Sequence, residues 1–130
     1  MKKLNNSGFT LVEIMIVVAI IALLAAIAIP NLVRAKVSSN DAVAKATLKS
    51  IATAFENYYT TNNQYPPATT SLIGAAPPYL TLDYFTGTHN GFTYSVASLT
   101  SYTYQISANP VSTNLGTTTF TISTGSVISW

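Results

Sequence analysis

Glu13 is the side chain in this sequence that most clearly requires a charged or hydrogen-bonding partner, because its carboxylate lies one turn inside an apolar segment. The run Ile14–Ile29 that follows it contains no charged or polar side chain. Phe9–Ile29 comprises 21 residues. As a helix this segment would be about 31 Å long, close to the roughly 30 Å hydrocarbon core of a bilayer. A charge at the centre of a bilayer costs at least about 2.5–3.5 kcal/mol, and less near a helix end. Glu13 therefore needs a partner.

One candidate partner is the α-amino group that a cut after Gly8 would create on Phe9. Phe9 and Glu13 are four residues apart, so they would lie on the same face of a helix. The pair can form within one chain, or between Glu13 of one subunit and the Phe9 amine of its neighbour. In the second case a misaligned neighbour leaves both charges unpaired, so the pair sets the register of an assembly.

The N-terminal motif resembles the class III signal of type IV pilins and type II secretion pseudopilins. It reads Lys2-Lys3, then Gly8-Phe9-Thr10-Leu11-Val12-Glu13 and the apolar run. This resemblance implies cleavage between Gly8 and Phe9 by a prepilin peptidase on the cytoplasmic side, and N-methylation of Phe9 by the same enzyme. It further implies that the mature chain leaves the inner membrane, where its N-terminus is cytoplasmic, and joins a helical filament of identical subunits.

The expected partners are therefore further copies of this chain, the prepilin peptidase, the inner membrane and the pilus or secretion machinery. A cell-surface pilus subunit is the main interpretation, and a major pseudopilin of a periplasmic type II secretion pseudopilus is the alternative. Many type IV pilins close a C-terminal loop with a disulfide, which this chain cannot do because it lacks cysteine. Major pseudopilins often carry an Asp-rich calcium site near the C-terminus, and here no Asp or Glu follows Tyr104.

Two other targeting interpretations explain less of the segment. In a secretory signal, Ala26-Ile27-Ala28 would be the cleavage site, but the apolar core of such a signal is about 7–15 residues and this one is longer. A single-span anchor of a monomeric exported protein explains the length and leaves Glu13 without a role.

Composition limits the remaining functions. The length of 130 residues suits one domain plus an anchor. The pI of 8.9 belongs to the uncleaved chain. Without residues 1–8 the basic and acidic side chains number four each, so no nucleic-acid binding is predicted. The basic residues are Arg34, Lys36, Lys45 and Lys49, and the acidic ones are Glu13, Asp41, Glu56 and Asp83.

The apolar pattern predicts that the helix continues past Pro30 with a kink, because no Gly or Pro occurs between Asn31 and Tyr59. An apolar stripe at helical spacing marks the face that a head domain would cover. The helix is expected to end near residues 60–63, before Tyr65-Pro66-Pro67. The stripe consists of Val37, Ala44, Leu48, Ile51, Phe55 and Tyr58.

Residues 64–90 read as a loop-rich connector with short elements at 71–73 and 79–82, and the period changes to two after Gly91. Alternating segments at 92–96, 102–108 and 118–123, with a short one at 127–130, predict an antiparallel meander. Tyr94, Tyr102 and Tyr104 are expected on its buried face, and only one of Tyr58 and Tyr59 can face the core.

The predicted fold class is therefore α+β, with a long kinked N-terminal helix and a small antiparallel sheet packed on its second half, as in the pilin fold. The expected parts are a cleaved leader (1–8), a transmembrane or filament-core helix (9–30), the amphipathic second half of the helix (31–63) and the connector and sheet of the head (64–130). No enzymatic activity, catalytic residue, metal site or cofactor is predicted. His89 is a single loop histidine, and the acids Asp41, Glu56 and Asp83 are scattered along the chain.

Overall fold

A computed structural model describes residues 8–130 of the chain, so Lys2, Lys3 and most of the predicted leader lie outside the described residues. The chain forms two compact units, one ending at Arg34 and the other comprising Ala35–Trp130. Each unit is described by itself. The predicted α+β class is confirmed, since the structure contains a long N-terminal apolar helix and a four-stranded antiparallel sheet.

Helix α1 spans Leu11–Asn62, 52 residues, and includes Pro30. The predicted continuation past Pro30 is therefore confirmed, while the kink stays a prediction. The helix begins two residues later than the predicted Phe9, because Thr10 caps its first turn. It ends as expected before the Tyr65-Pro66-Pro67 sequence: Asn63 adopts a left-handed conformation (φ 55°) and its N–H donates to the Tyr59 carbonyl over 2.7 Å, an ending that asparagine tolerates well.

In the first unit the apolar side chains of α1 are exposed. The helix contains an 18-residue window with a mean hydropathy of 3.0, so it is long and apolar enough to cross a membrane. Phe9, just before the helix, is 86% exposed, and apolar residues from Leu11 to Ile29 are exposed as well.

In the second unit, α1 provides one wall of the core. Four residues of the predicted stripe are fully buried, namely Ala44, Leu48, Ile51 and Phe55. Tyr58 packs against the core while Tyr59 is exposed, as the spacing predicted. Short helix α2 (Thr70–Ile73) lies in the connector and buries Leu72, whose carbonyl accepts the N–H groups of Tyr79 and Leu80.

The sheet is a meander in the order β1-β2-β3-β4. Its strands are β1 (Phe92–Leu99), β2 (Tyr104–Pro110), β3 (Phe120–Ser123) and β4 (Val127–Ser129). All neighbouring strands pair antiparallel, with a register shift in β1 between Val96 and Ser98. The inward-facing side chains complete the core against α1, and they are Phe92, Tyr94, Tyr104, Ile106, Ala108, Phe120 and Ile122.

One predicted core residue is not buried. Tyr102 is 73% exposed, because it belongs to the turn between β1 and β2 and not to a strand. In that turn Thr100 and Thr103 bond to each other through their hydroxyl groups over 2.8 Å. Strand β2 therefore begins at Tyr104, and the alternating sequence pattern extends two residues before it into the turn.

Candidate processing and assembly site

The predicted processing residues lie in the short segment that leads into α1. Gly8, Phe9 and Thr10 have no regular secondary structure, and the helix begins at Leu11. A side chain built at Gly8 would meet no atom of the described residues within 4 Å, and both Gly8 and Phe9 are exposed, so the peptide bond between them is accessible in this part of the chain.

Glu13 is bound to the first turn of its own helix. One carboxylate oxygen, Oε2, accepts the backbone N–H of Thr10 and the Thr10 hydroxyl, each over 2.8 Å. In return the backbone N–H of Glu13 donates to Thr10 Oγ1 over 3.2 Å. This reciprocal arrangement is a capping box, which satisfies N–H groups that the first turn of a helix leaves free.

The capping box changes the geometry expected for Phe9 and Glu13. Because Phe9 precedes the helix, the two residues do not lie one above the other on a helical face in the uncleaved chain. The carboxylate is instead held by Thr10, one residue beyond Phe9. Pairing of Glu13 with a Phe9 amine stays a prediction, as do the cleavage and the methylation.

Among the described residues of its own unit, the apolar surface around this site has no protein partner. The most hydrophobic window of α1 is 0% buried. Exposure of this much contiguous apolar surface is characteristic of a membrane or protein contact. The site therefore combines an accessible peptide bond, a carboxylate at a helix start and a continuous apolar surface.

The head contains a second carboxylate with many partners, which the sequence reasoning did not find. Glu56 Oε1 accepts hydrogen bonds from the hydroxyls of Tyr65 (3.2 Å) and Tyr104 (3.0 Å) and from the N–H of Gly125 (3.2 Å). Glu56 thereby joins α1 to the connector, to β2 and to the turn between β3 and β4. Burial and the neighbouring Glu56 carboxylate raise the pKa of Tyr104 to about 12, and the same causes raise the pKa of Tyr65 further.

Asp41 and Asn40 make a similar link near the start of the second unit. Asp41 accepts the Thr117 N–H over 3.0 Å and the Thr117 hydroxyl over 2.7 Å. Asn40 Nδ2 donates to the Leu115 carbonyl over 2.9 Å. These two polar residues of α1 therefore fasten the loop before β3 to the helix.

The remaining candidates form no catalytic arrangement within residues 8–130. That part of the chain contains no group of three or more His, Cys, Asp or Glu side chains that could hold a metal ion. His89 Nε2 lies 3.0 Å from the Thr86 carbonyl, and its ring contacts Tyr84 and Tyr94 edge-on or tilted. The buried Tyr94 hydroxyl finds no hydrogen-bond partner in the part of the chain that the structure describes. Burial raises its pKa, with nearby Thr47 opposing the rise.

Comparison with known proteins gives one family model and several relatives. Residues 3–29 match the prokaryotic N-terminal methylation motif. The chain is 46% identical over 73 residues, 56% of its length, to a type IV major pilin of Myxococcus xanthus, and this match covers 33% of that protein. It is 46% identical over 69 residues to the major component of the type IV wide pilus of Thermus thermophilus, covering 53% of each chain.

The type II secretion system core protein G of Pseudomonas aeruginosa is 41% identical over 66 residues, which are 51% of this chain and 46% of that protein. The chain thus spans about half the length, or less, of the curated relatives it matches. The methylation motif and these relatives show that about half of the chain is similar to type IV pilins and type II secretion pseudopilins, and the long apolar helix and small antiparallel sheet are consistent with the pilin fold.

Proposed function

We propose that this chain is the structural subunit of a type IV pilus-like filament. A prepilin peptidase cleaves it between Gly8 and Phe9 and methylates the new Phe9 amine. The mature subunit is then held in the inner membrane by the apolar half of α1, with its N-terminus in the cytoplasm, until assembly machinery adds it to the filament.

The observation that carries this proposal is the exposed apolar surface of α1 with one carboxylate at its start. In lipid, and later against the helices of neighbouring subunits, that surface stays in apolar surroundings, so transfer between the two changes its free energy little. Apolar packing alone does not choose a register along the helix axis. Glu13 supplies one, because its charge is compensated only where a neighbour's Phe9 amine is adjacent.

Assembly requires Glu13 to change partners. In the uncleaved chain the carboxylate accepts two bonds from Thr10. Cleavage adds a positive charge at Phe9, one residue before Thr10. A charged donor forms a stronger hydrogen bond than a neutral one, so an amine from a neighbouring subunit can compete for the same oxygens.

The first experiment is the intact mass and N-terminal sequence of the protein purified from its native cells. A chain that begins at Phe9 with one added methyl group is the expected result. A chain that begins at Met1 or Ile29 would reject the processing pathway. The Gly8→Val variant should remain uncleaved, whereas a wild-type rate of processing would contradict the assigned site.

The second experiment tests the register. Glu13→Ala should insert into the membrane in normal amounts but yield few filaments after shearing and sedimentation. Glu13→Gln separates charge from size, because it keeps the shape of the side chain and removes its charge. It should also yield few filaments. Normal filament yield from both variants would exclude the proposed pairing.

A type II secretion pseudopilin is the second candidate, and the match to a core protein G of that system favours it. Residues 91–130 contain no carboxylate side chain, so they offer none of the acidic ligands that a pseudopilin calcium site would use. Deletion of the gene separates the two, since loss of surface fibres identifies a pilus subunit and retention of exported enzymes inside the cell identifies a pseudopilin.

A further inference from the structure

Arg34 is the last residue of the first unit and the first charged side chain after Glu13. It is exposed, and it is the single arginine of the sequence. We propose that Arg34 binds the phosphate group of a phospholipid at the membrane surface opposite the one nearest Glu13. This inference names the lipid contact of the apolar helix and rests on the proposed function, in which α1 crosses the inner membrane.

The spacing of Glu13 and Arg34 matches the thickness of a bilayer. Arg34 follows Glu13 by 21 residues, and both belong to helix α1. At 1.5 Å per residue their Cα atoms are about 32 Å apart, close to the roughly 30 Å hydrocarbon core of a bilayer. Between them no charge occurs, and Asn31 is the one polar side chain. When Glu13 lies at one boundary of the hydrocarbon, Arg34 therefore lies at the other, at the depth of the lipid phosphates.

The carboxylates of the described chain are bound to other groups. Each of the four acidic side chains in residues 8–130 accepts a hydrogen bond from a donor other than Arg34. An anion that pairs with Arg34 is therefore expected to come from outside the chain. The carboxylates and their donors are Glu13 with Thr10, Asp41 with Thr117, Glu56 with Tyr104, and Asp83 with the N–H of Phe85.

The chemistry of the guanidinium and of its surroundings selects a lipid phosphate as that anion. A guanidinium is weakly hydrated, and its planar N–H groups match two oxygens of one phosphate. Leu32 and Val33, directly before Arg34, are exposed apolar side chains, so the charge lies at the edge of an apolar surface. In such a position the stem of an arginine follows the apolar surface while its charged end reaches the headgroups.

This contact would fix the depth of the helix in the membrane. A shift of one helical turn, about 5.4 Å, would carry either Arg34 or Glu13 into the hydrocarbon, where a charge is costly. The most stable position has one charge at each boundary. Glu13 is then presented at a constant depth, which favours its proposed pairing with the Phe9 amine of a neighbour.

The test uses the single arginine. The full chain is produced with ¹⁵N in the arginine guanidinium group and reconstituted in vesicles of equal parts phosphatidylethanolamine and phosphatidylglycerol. Rotational-echo double-resonance NMR then measures the distance from these nitrogens to lipid ³¹P. A charge-assisted hydrogen bond of about 2.8 Å to a phosphate oxygen places nitrogen about 4 Å from phosphorus, so we expect strong dephasing. Absence of dephasing in membrane-inserted protein would overturn the inference.

The matched control moves the arginine to the head. The double variant Arg34→Gln, Lys49→Arg again has one arginine, now at an exposed position of the second unit, and we expect no dephasing by lipid phosphorus. Dephasing equal to that of the wild type would show that any exposed cation binds the vesicles, which would overturn the assignment of the site.

A third sample separates lipid phosphate from free phosphate. It contains the wild-type chain in dodecyl maltoside micelles, which hold no phosphorus, together with inorganic phosphate. We expect no dephasing in this sample, because the membrane surface that brings phosphate to Arg34 is missing. Dephasing as strong as in vesicles would overturn the assignment of the ligand to a lipid.

A second measurement tests the depth of the helix. The chain has no cysteine, so Leu32→Cys introduces a single thiol, which a membrane-impermeant maleimide labels only when it reaches water. Adding Arg34→Gln should let the helix sink into the lipid and slow the labelling about fivefold, the factor for one cation at an anionic surface. Arg34→Lys keeps the charge and should restore most of the rate. Equal rates with and without Arg34 would show that this residue does not set the depth.

Filament formation is measured separately, by sedimentation of sheared fibres. Chains that assemble normally but show no dephasing in vesicles would refute this inference and leave the proposed function standing. Chains that show the dephasing but never yield filaments would confirm the lipid contact and reject the proposed function.

Discussion

The Tyr104 hydroxyl donates a 3.0 Å hydrogen bond to Glu56 Oε1, although the two residues are 48 positions apart in the chain. The same oxygen accepts the N–H of Gly125, 69 positions away. One carboxylate on α1 therefore bonds to both strand β2 and the turn between β3 and β4. Beside it, the centre of the Phe55 ring lies 4.9 Å from the centre of the Tyr104 ring. Around Glu56, helix α1 is therefore joined to the sheet by hydrogen bonds as well as by apolar packing.

Replacing Glu56 should destabilise the head more than its half-buried position suggests. Glu56→Ala removes the acceptor for two tyrosine hydroxyls and one N–H, and hydrogen bonds to a charged group contribute about 1.5–3 kcal/mol. We expect the free energy of unfolding to fall by about 2–3 kcal/mol, measured by urea denaturation followed by tyrosine and tryptophan fluorescence. Lys49→Ala, an exposed change on the same helix, is the control and should have little effect. Equal stability of the two variants would show that Glu56 is not a structural link.

Alkaline pH should destabilise the head through the same contact. The pKa of Tyr104 is raised to about 12 in the fold, whereas an unfolded tyrosine ionises near pH 10. A raised pKa means that the fold favours the protonated phenol. The contribution to stability is therefore complete below about pH 10 and is lost as the pH rises from about 10 towards 12. Denaturation followed by tyrosinate absorbance should show this loss. Tyr104→Phe should flatten the dependence, and an unchanged slope in that variant would refute the assignment.

Changing Thr10 should loosen the first turn of α1 without altering the apolar surface behind it. Thr10→Ala removes the hydroxyl that bonds Glu13 Oε2 and the Glu13 N–H. Loss of such a cap costs about 1 kcal/mol, so we expect faster hydrogen exchange at the Glu13 amide by about fivefold. Thr10→Ser keeps the hydroxyl and is the matched control. If Thr10→Ala exchanged no faster than Thr10→Ser, the capping box would not hold Glu13 in the membrane-bound chain.

The spacing of apolar residues predicted the main elements well, because burial imposes a period on each of them. Leu48, Ile51 and Phe55 lie on one side of α1, and Phe92, Tyr94 and Ile106 face them from the sheet. These positions follow from helix and strand geometry alone. The end of α1 was also predictable, since two prolines forbid its continuation.

Polar contacts between distant segments were not predictable in the same way. Glu56 and Asp41 looked scattered because most of their partners, Tyr65, Gly125 and Thr117, come from loops whose positions no local pattern encodes. Tyr102 was misplaced because alternation continues into a turn without changing the sequence pattern. The capping box of Thr10 and Glu13 could have been predicted, because Thr and Glu spaced by three residues at a helix start are its sequence pattern. The interpretation of Glu13 as the partner of a charged amine drew attention away from that pattern.

Gly116 offers a test of how tightly the loop before β3 fits the core. A Cβ at this position would lie 2.3 Å from Phe92 Cζ and 2.8 Å from Pro110 Cβ. Phe92 is fully buried, so its ring cannot move aside without disturbing the core. Gly116→Ala should therefore lower the free energy of unfolding by about 1–3 kcal/mol, the cost of overpacking a core.

Gly74→Ala is the control for this change, because its nearest contact would be the Thr70 carbonyl oxygen at 3.3 Å and its φ of −79° suits any residue. Both variants are compared with the wild type by urea denaturation. If Gly116→Ala were as stable as Gly74→Ala, the loop would be able to move away from Phe92. The bonds from Asn40 and Asp41 to Leu115 and Thr117 would then hold the loop less firmly than their geometry indicates.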